Sequence, residues 1–361
     1  MTRKRHRGPI HNRHPSRVAL IFAAACGGET VELEEPASAP APAEECLEGS
    51  CFEAQLGEYT VGAYEEIEDV CLSVTLDNEE AMYVNAVTAY NDGAFHHSNW
   101  VWVPDDQWDV PDGAWDCTAN DFTEIGGILA GGVLFAQSTQ VWEETQQFLP
   151  NVTIKIEPNA RIIASAHLLN ATSETVHTSM NVRLGLVAED EVETVLAPIR
   201  MTYLDLDIPA ESDTDHGGRC EMSEIYESET LQDYEVKLHY VLPHFHDIGT
   251  GFELTAAGGD REGEVLFEHR EGVGQQLGHT FPEPIDLTGT EGLNFSCLHT
   301  NPTDQSVGWG VGDQEMCVML GFVDSAMMFE MWVGETVDTG AVGDTLTRTG
   351  ECNILAVPFT D

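Results

Sequence analysis

The chain has 361 residues and a hydrophobic content of 42%, enough for two domains of ordinary size that each bury a core. Acidic residues outnumber basic ones by 63 to 15, which gives a formal net charge of −48 at pH 7. Such a chain repels phosphate backbones, which argues against nucleic acid as a partner.

The first 25 residues have the pattern of an export signal. Six of the fifteen basic side chains lie here, no acidic residue precedes Cys26, and a short apolar run over 18–22 is followed by three alanines. That run is too short to span a bilayer, which needs roughly 20 apolar residues. We therefore predict a signal peptide over 1–25.

The small residues immediately before Cys26 resemble the bacterial lipoprotein box. The resemblance implies an exported lipoprotein, periplasmic or at the cell surface, that meets the membrane only through a lipid on Cys26. A secreted form without lipid is the alternative.

Residues 26–55 are rich in Glu, Pro, Ala and Ser, and we predict an extended acidic linker because this composition buries little apolar surface. The chain has nine cysteines, and eight remain if Cys26 carries a lipid. An oxidising compartment favours disulfides, but spacing alone does not reveal their connectivity. Cys46 and Cys51 would close a small loop if they pair, and buried free thiols are the alternative for several of the cysteines.

Beyond the linker, short alternating or β-branched runs recur between Gly, Pro, Asp and Asn clusters, and long helical periodicity is scarce. We predict strands over 70–76, 83–90, 152–156, 161–167, 182–187, 200–208, 235–243, 251–254, 264–267, 293–299, 315–323 and 327–333. So many short strands predict an all-β fold of antiparallel sandwiches. An acidic run at 189–191 precedes a new apolar run, so we predict two β-sandwich domains, 56–195 and 196–361.

Three histidines of the first domain are candidate metal ligands. His96 and His97 are neighbours, and neighbours on a regular strand point to opposite faces, so joint ligation requires a β-bulge or a strand end. His167 ends an apolar strand, where it could face a cleft. The alternative for each is a buried, hydrogen-bonded histidine.

The second domain carries a His-x-His segment. If this segment is extended, His244 and His246 point the same way and both imidazoles can reach one ion. Gly249 and Gly251 would let the backbone turn closely after them. Two histidines with satisfied hydrogen bonds at a strand end are the alternative. For the remaining histidines His239, His279 and His299 we expect solvent-facing or structural roles.

Met316 precedes an apolar strand, where methionine is usually a core residue. Cys297 and Cys317 bracket this segment and could clamp Met316 if they form a disulfide. Met316 follows His246 by the same 70 positions by which His167 follows His97, which suggests one metal site in each half. A thioether beside two imidazoles suits copper, because soft sulfur stabilises copper(I).

Taken together, these segments resemble the copper type II, ascorbate-dependent monooxygenases, the family of peptidylglycine α-hydroxylating monooxygenase and dopamine β-monooxygenase. The resemblance runs from about Asp69 to Val333. Its most diagnostic segments are Asn294-Phe295-Ser296-Cys297, Asn301-Pro302-Thr303-Asp304 and Gln314-Glu315-Met316-Cys317, and the start Asp69-Val70-Cys71-Leu72-Ser73 also fits.

The resemblance implies two jelly-roll-like β-sandwiches with one copper ion each, facing across a solvent-filled cleft. It implies hydroxylation of a small organic substrate with dioxygen and a one-electron reductant such as ascorbate. The electron-transfer copper would be held by His96, His97 and His167. The copper that binds dioxygen and substrate would be held by His244, His246 and Met316. The implied disulfides are Cys71–Cys117, Cys297–Cys317 and Cys220–Cys352.

The substrate pocket departs from the family pattern. Peptide-hydroxylating members use an arginine two residues before His-x-His to grip a substrate carboxylate, and Leu242 stands at that position here. A tyrosine and an asparagine used shortly after the Met-Cys pair correspond to Leu320 and Val318. The sequence therefore favours an apolar or amine substrate over a peptide C-terminus.

Two other functions fit parts of this pattern. A copper-binding or electron-transfer surface lipoprotein without hydroxylase activity would keep the same ligands. A zinc hydrolase would use histidines as well, but two separated triads and Met316 argue against it.

Overall fold

The computed structural model describes residues 50–91, 93–137, 141–270, 272, 278–310 and 314–359. The predicted signal peptide, Cys26, Cys46 and most of the predicted linker lie outside this range. The chain divides into two units, 1–45 and 46–361, and all described residues belong to the second. In the described part of the chain, no helix is both long and apolar enough to cross a membrane.

Residues 51–195 form two sheets. Their strands are β1 (Cys51–Val61), β2 (Glu66–Thr75), β3 (Met82–Asn91), β4 (Phe95–Pro104), β5 (Gly113–Asp116), β6 (Gly132–Gln137), β7 (Glu143–Gln147), β8 (Val152–Ile156), β9 (Ala160–Leu169), β10 (Val176–Val187) and β11 (Thr194–Val195). One sheet has the order β1-β10-β3-β8-β11 with β7 also on β3, and the other has the order β5-β2-β9-β4-β6. A short helix, α1 (Glu124–Ala130), begins after Thr123, whose hydroxyl accepts a hydrogen bond from the Gly126 amide.

Residues 197–358 form two larger sheets and a two-stranded one. Their strands are β12 (Ala197–Tyr203), β13 (Asp207–Ile208), β14 (Ser212–Glu221), β15 (Lys237–His244), β16 (Gly249–Ala257), β17 (Val265–His269), β18 (His279–Asp286), β19 (Gly292–Asn301), β20 (Val307–Gly308), β21 (Val318–Asp324), β22 (Met327–Val333), β23 (Asp338–Val342), β24 (Thr345–Glu351) and β25 (Asn353–Pro358). The orders are β18-β15-β21-β12-β22-β25, β17-β16-β19-β14-β24-β23 and β13-β20. Helix α2 (Ser223–Thr230) and three 3-10 turns complete the described elements: Thr118–Asn120, Glu189–Glu191 and Gly259–Arg261.

The sheets enclose an apolar core. Leu56 and Leu184 of one first-half sheet and Leu72 and Ile162 of the other are fully buried in the same cluster. Burying one such side chain stabilises the fold by about 1.5–3 kcal/mol. The predicted all-β sandwich fold is therefore confirmed.

We had predicted purely antiparallel sheets, and this prediction is wrong for three strand pairs. The pairs β8–β11, β12–β22 and β14–β24 are parallel. A tight hairpin requires antiparallel strands, whereas partners joined by long connections are free of that restriction.

Most of the predicted strands differ from the observed ones by one or more residues at an end. The strand predicted over 200–208 is divided, since β12 ends at Tyr203 and β13 begins at Asp207. Strand β1 begins at Cys51, so the last residues of the predicted linker 26–55 are strand. In contrast, β8 and β22 have the predicted bounds. Among the described strands, each sheet draws its members from one side of Leu196 only, close to the boundary predicted between 195 and 196.

The same turn closes a strand in each half. The Asn170 side-chain amide donates to the carbonyl oxygens of Val61, Gly62 and Glu174, and its oxygen accepts from Thr172. In the second half, Asn301 donates to Ile208, Pro209 and Gln305 and accepts from Thr303. Each asparagine thus satisfies backbone carbonyl and amide groups beside β9 or β19.

Within the described residues, disulfides join Cys71 to Cys117, Cys220 to Cys352 and Cys297 to Cys317. The three pairings that the family resemblance implied are confirmed. The third one holds the residue after Met316 against β19.

Candidate metal centre

Strand β4 contains the bulge that joint ligation by His96 and His97 requires. Phe95 pairs with Leu168 and His97 pairs with His167, so the register shifts across His96. The His96 ring then lies 4.9 Å from the His97 ring and 4.8 Å from the His167 ring, measured between centroids. One ligand nitrogen from each of the three lies within 4.8 Å of the others.

A carboxylate orients His167. The Nε2 atom of His167 lies 2.8 Å from Oε1 of Glu66, and the Nδ1 atom of His167 lies 3.1 Å from Nε2 of His97. If Nε2 donates its proton to Glu66, Nδ1 presents a lone pair toward His97. The distance between the two imidazole nitrogens suits joint ligation, because two nitrogens that each lie about 2 Å from one ion are roughly 3 Å apart. A carboxylate behind a ligating imidazole is a common support of metal sites.

His246 is held in a comparable way. Its Nδ1 donates to the carbonyl oxygen of Gln314 at 2.8 Å, while its buried Nε2 has no hydrogen-bond partner among the described residues. Its ring lies 5.2 Å from the ring of His244, the last residue of β15. The ring of Phe245 covers the position that a Cβ on Gly249 would occupy, so the chain turns closely after the two histidines.

Glu315 joins this loop to Met316, and the sequence indicated no role for it beyond its place in the Gln314-Glu315-Met316-Cys317 segment. Its buried carboxylate accepts hydrogen bonds from the backbone amides of His246, Ile248 and Met316, the last two at 3.2 and 2.8 Å. Burial raises the pKa of Glu315 to about 7, although the three amides act in the opposite direction. Glu66 was missed as well, because one glutamate among 63 acidic residues carries no distinctive signal.

The two predicted histidine groups lie in contact. His97 lies 5.0 Å from His244 and 5.8 Å from His246, and His96 lies 5.9 Å from His246, between ring centroids. Ligand nitrogens of His97, His244 and His246 all lie within 4.8 Å of one another. We call the five residues His96, His97, His167, His244 and His246 the histidine cluster. The resemblance had implied two sets facing across a cleft; here the β4 bulge meets the end of β15, and His97 belongs to both sets.

Burial keeps the imidazoles of His96, His97 and His246 neutral. Burial, and after it the neighbouring imidazoles of His167 and His246, lower the pKa of His96 to about 4. For the same two reasons the pKa of His97 lies well below its usual value, and burial also lowers that of His246. Neutral imidazole is the form that binds metals.

One cavity of about 1470 Å³, its opening included, is lined by His97, His167, His244 and Met316, and we call it the cavity of the histidine cluster. His97 and His167 reach it from the first half, and His244 and Met316 reach it from the second. Met316 is partly exposed rather than buried, and it therefore lies outside the close-packed core.

Other histidines lie outside the histidine cluster. His216 and His299 are buried on neighbouring strands β14 and β19, with ring centroids 5.5 Å apart. Burial lowers the pKa of His216 to about 4 and that of His299 to about 3. His239 is buried on β15, and His279 is exposed at the start of β18.

No family model matches the chain, and no curated protein sequence matches it. Similarity to solved structures is slight, as two of them show. A fucolectin from the serum of striped bass, Morone saxatilis, is 12% identical with a TM-score of 0.17, covering 77% of this chain and 86% of the lectin. The VP2 subviral particle of infectious bursal disease virus is 8% identical with a TM-score of 0.15, covering 76% of this chain and 71% of VP2. Such low scores carry no argument about function.

Proposed function

We propose that this chain is a copper-dependent monooxygenase that hydroxylates a small organic substrate, using dioxygen and a one-electron reductant such as ascorbate. One observation carries the proposal: imidazoles from both halves and the thioether-bearing Met316 line a single cavity. The family resemblance of the ligand segments supports it.

The donor set fits copper. Neutral imidazoles suit several transition metals, and a thioether adds a preference for copper(I) over the hard ions that select oxygen ligands. His246 supports the fit, because its Nδ1 proton is engaged by Gln314 and its buried Nε2 is left to accept a metal. His167 supports it through the Glu66 carboxylate.

The protein's residues would divide the work between two ions. His244, His246 and Met316 would hold one ion at the substrate cavity, and His96, His97 and His167 would hold the other. His97 also lies close enough to His244 and His246 to support the first ion. Bound copper would supply one-electron redox chemistry and dioxygen activation. The balanced reaction converts R–H, O₂, two electrons and two protons into R–OH and water, with the electrons supplied by two ascorbate molecules.

We also propose that the mature protein is exported and anchored by lipid at Cys26. The three disulfides of the described part suit an oxidising compartment, where such bonds persist. Mass spectrometry of the membrane fraction tests the anchor, since a mature N-terminus other than a diacylated Cys26 would contradict it.

The function is tested by oxygen uptake of the copper-loaded protein with ascorbate, across a panel of amines and apolar alcohols, with ¹⁸O₂ to label the product. We expect labelled product from the parent chain and none from the Met316→Ala variant. His279→Asn, an exposed histidine outside the histidine cluster, is the matched control and should keep its activity. Copper binding without labelled product would favour the copper-binding or electron-transfer lipoprotein. Retained zinc without a cupric spin signal would contradict both.

A further inference from the structure

A second, apolar pocket adjoins the cavity of the histidine cluster. Its space, the open mouth included, is about 650 Å³. Its walls include Ile128 of α1, Ile199 of β12, Leu242 of β15 and Phe329 of β22. The two spaces adjoin, because they share six lining residues: Ile125, Ala136, Arg200, Leu320, Glu330 and Leu355.

Strand register explains how the apolar pocket reaches the histidine cluster. On β15, Tyr240, Leu242 and His244 alternate in position and so share one face of the sheet. On β21, Leu320 lies beside Leu242, and Phe322 lies beside Tyr240. Four residues of strand span roughly 13 Å. A ligand along this face would have one end beside His244 and the other over Tyr240.

The mouth of the apolar pocket exposes large aliphatic side chains. Ile125 is 50% exposed, Leu129 is 55% exposed and Leu355 of β25 is 41% exposed. Helix α1 packs Gly127 against Val101, so Ile125 and Leu129 of the same helix face solvent. Clustered exposed aliphatic groups beside a pocket are typical of a site for apolar ligands.

The charges between the two spaces select the head group of such a ligand. Nε of Arg200 lies 2.8 Å from both carboxylate oxygens of Glu330, and a further nitrogen lies 3.8 Å from Glu124. Two carboxylates thus face one guanidinium, which leaves a surplus of negative charge. An anionic head group would be repelled here, whereas an uncharged or cationic one would be accepted.

We propose that the substrate is a small amphiphile whose alkyl chain occupies the apolar pocket and whose uncharged or amine head group lies beside Arg200 and Glu330, in the cavity of the histidine cluster. Calling this ligand a substrate rests on the proposed monooxygenase function. The binding of the amphiphile does not rest on that function, because the walls of the apolar pocket contain no metal ligand.

Calorimetric titration of the metal-free protein tests the binding. The probes are hexylamine, heptylamine and octylamine, with octanol and octanoate at matched length. We expect affinity to rise about fourfold per methylene group. We expect octylamine and octanol to bind at least tenfold more tightly than octanoate. Affinity that does not depend on chain length, or octanoate binding as tightly as the amine, would overturn the proposal.

Variants at the mouth locate the site without disturbing the core. The double variant Ile125→Ser with Leu129→Ser should weaken octylamine binding at least fivefold. Val342→Ser on β23 is the matched control, since Val342 is 75% exposed and lies outside the pocket lining. If both variants bind octylamine with equal affinity, the amphiphile binds elsewhere and the proposal is wrong. If octylamine binds as expected but the copper-loaded protein yields no oxygenated product, the monooxygenase function fails and the amphiphile site stands.

Discussion

The imidazoles of His97 and His244 lie 5.0 Å apart between ring centroids, although they belong to different halves of the chain. His97 lies on β4 beside the bulge at His96, and His244 is the last residue of β15. The contact makes His97 a shared member of two histidine groups. Both candidate metal sites therefore depend on one side chain and on how the two halves meet.

Removing His97 should affect both sites, whereas removing His167 should affect one. We expect the His97→Ala variant to retain less copper than His167→Ala after dialysis, because His97 belongs to both groups. Metal analysis by mass spectrometry measures the copper content per chain. Equal losses in the two variants would show that His97 serves a single site.

Glu66→Gln should weaken copper binding at the first site and leave the fold intact. The amide keeps the size of the side chain but loses the charge that orients His167. Loss of such a partner typically costs 10- to 100-fold in metal affinity. Competition with a copper chelator measures this change, with the exposed Glu58→Gln variant as control. An unchanged affinity would mean that Glu66 does not support the ligand.

Glu315→Gln should destabilise both the fold and the second site. The amide would place an NH₂ group against backbone N–H donors that the carboxylate now satisfies. We expect the free energy of unfolding to fall by about 1–3 kcal/mol. Chemical denaturation of the metal-free protein measures it, with exposed Glu283→Gln as the control. A stability equal to that of the control would contradict the buried hydrogen bonds.

Removing the Cys297–Cys317 disulfide by a double serine substitution should lower stability by about 2–4 kcal/mol. It should also weaken copper binding at the site of Met316, the residue next to Cys317. The Cys71–Cys117 double serine variant is the control, since that disulfide lies in the first half. If both variants lose equal affinity at the second site, the bond does not position Met316.

Buried His216 should make the fold sensitive to acid. Burial lowers its folded pKa to about 4, whereas the unfolded value is about 6.5. Between these values the unfolded chain binds a proton that the folded chain does not, so the free energy of unfolding falls as pH falls from 6.5 toward 4.

Replacing His216 removes the proton that the unfolded chain binds and the folded chain does not. For metal-free His216→Gln we expect a shallower loss of stability over that pH range than for the parent chain, by on the order of 1–3 kcal/mol. Denaturant titrations at several pH values measure the slope, with exposed His177→Gln as the control. An unchanged slope would exclude His216 as a source of the acid sensitivity.

Local patterns were sufficient for the fold class and for several elements. Alternation of apolar and polar residues predicted β8 and β22 with their observed bounds, because that signal depends only on each segment. The same two-residue period showed that neighbouring His96 and His97 need a bulge, and the register shift at His96 provides it. The parallel pair β12–β22 was not predicted, because pairing between distant strands leaves no local mark.

The sequence by itself determined the all-β class, the ligand candidates and, through the family resemblance, the three disulfides. Only the tertiary structure brought His97 against His244, placed Glu66 behind His167 and Glu315 behind His246, and set an apolar pocket beside the cavity that His97, His167 and His244 line. The reason is physical. Strand periodicity is a property of a few consecutive residues, whereas the distance between side chains on different sheets depends on how whole sheets pack.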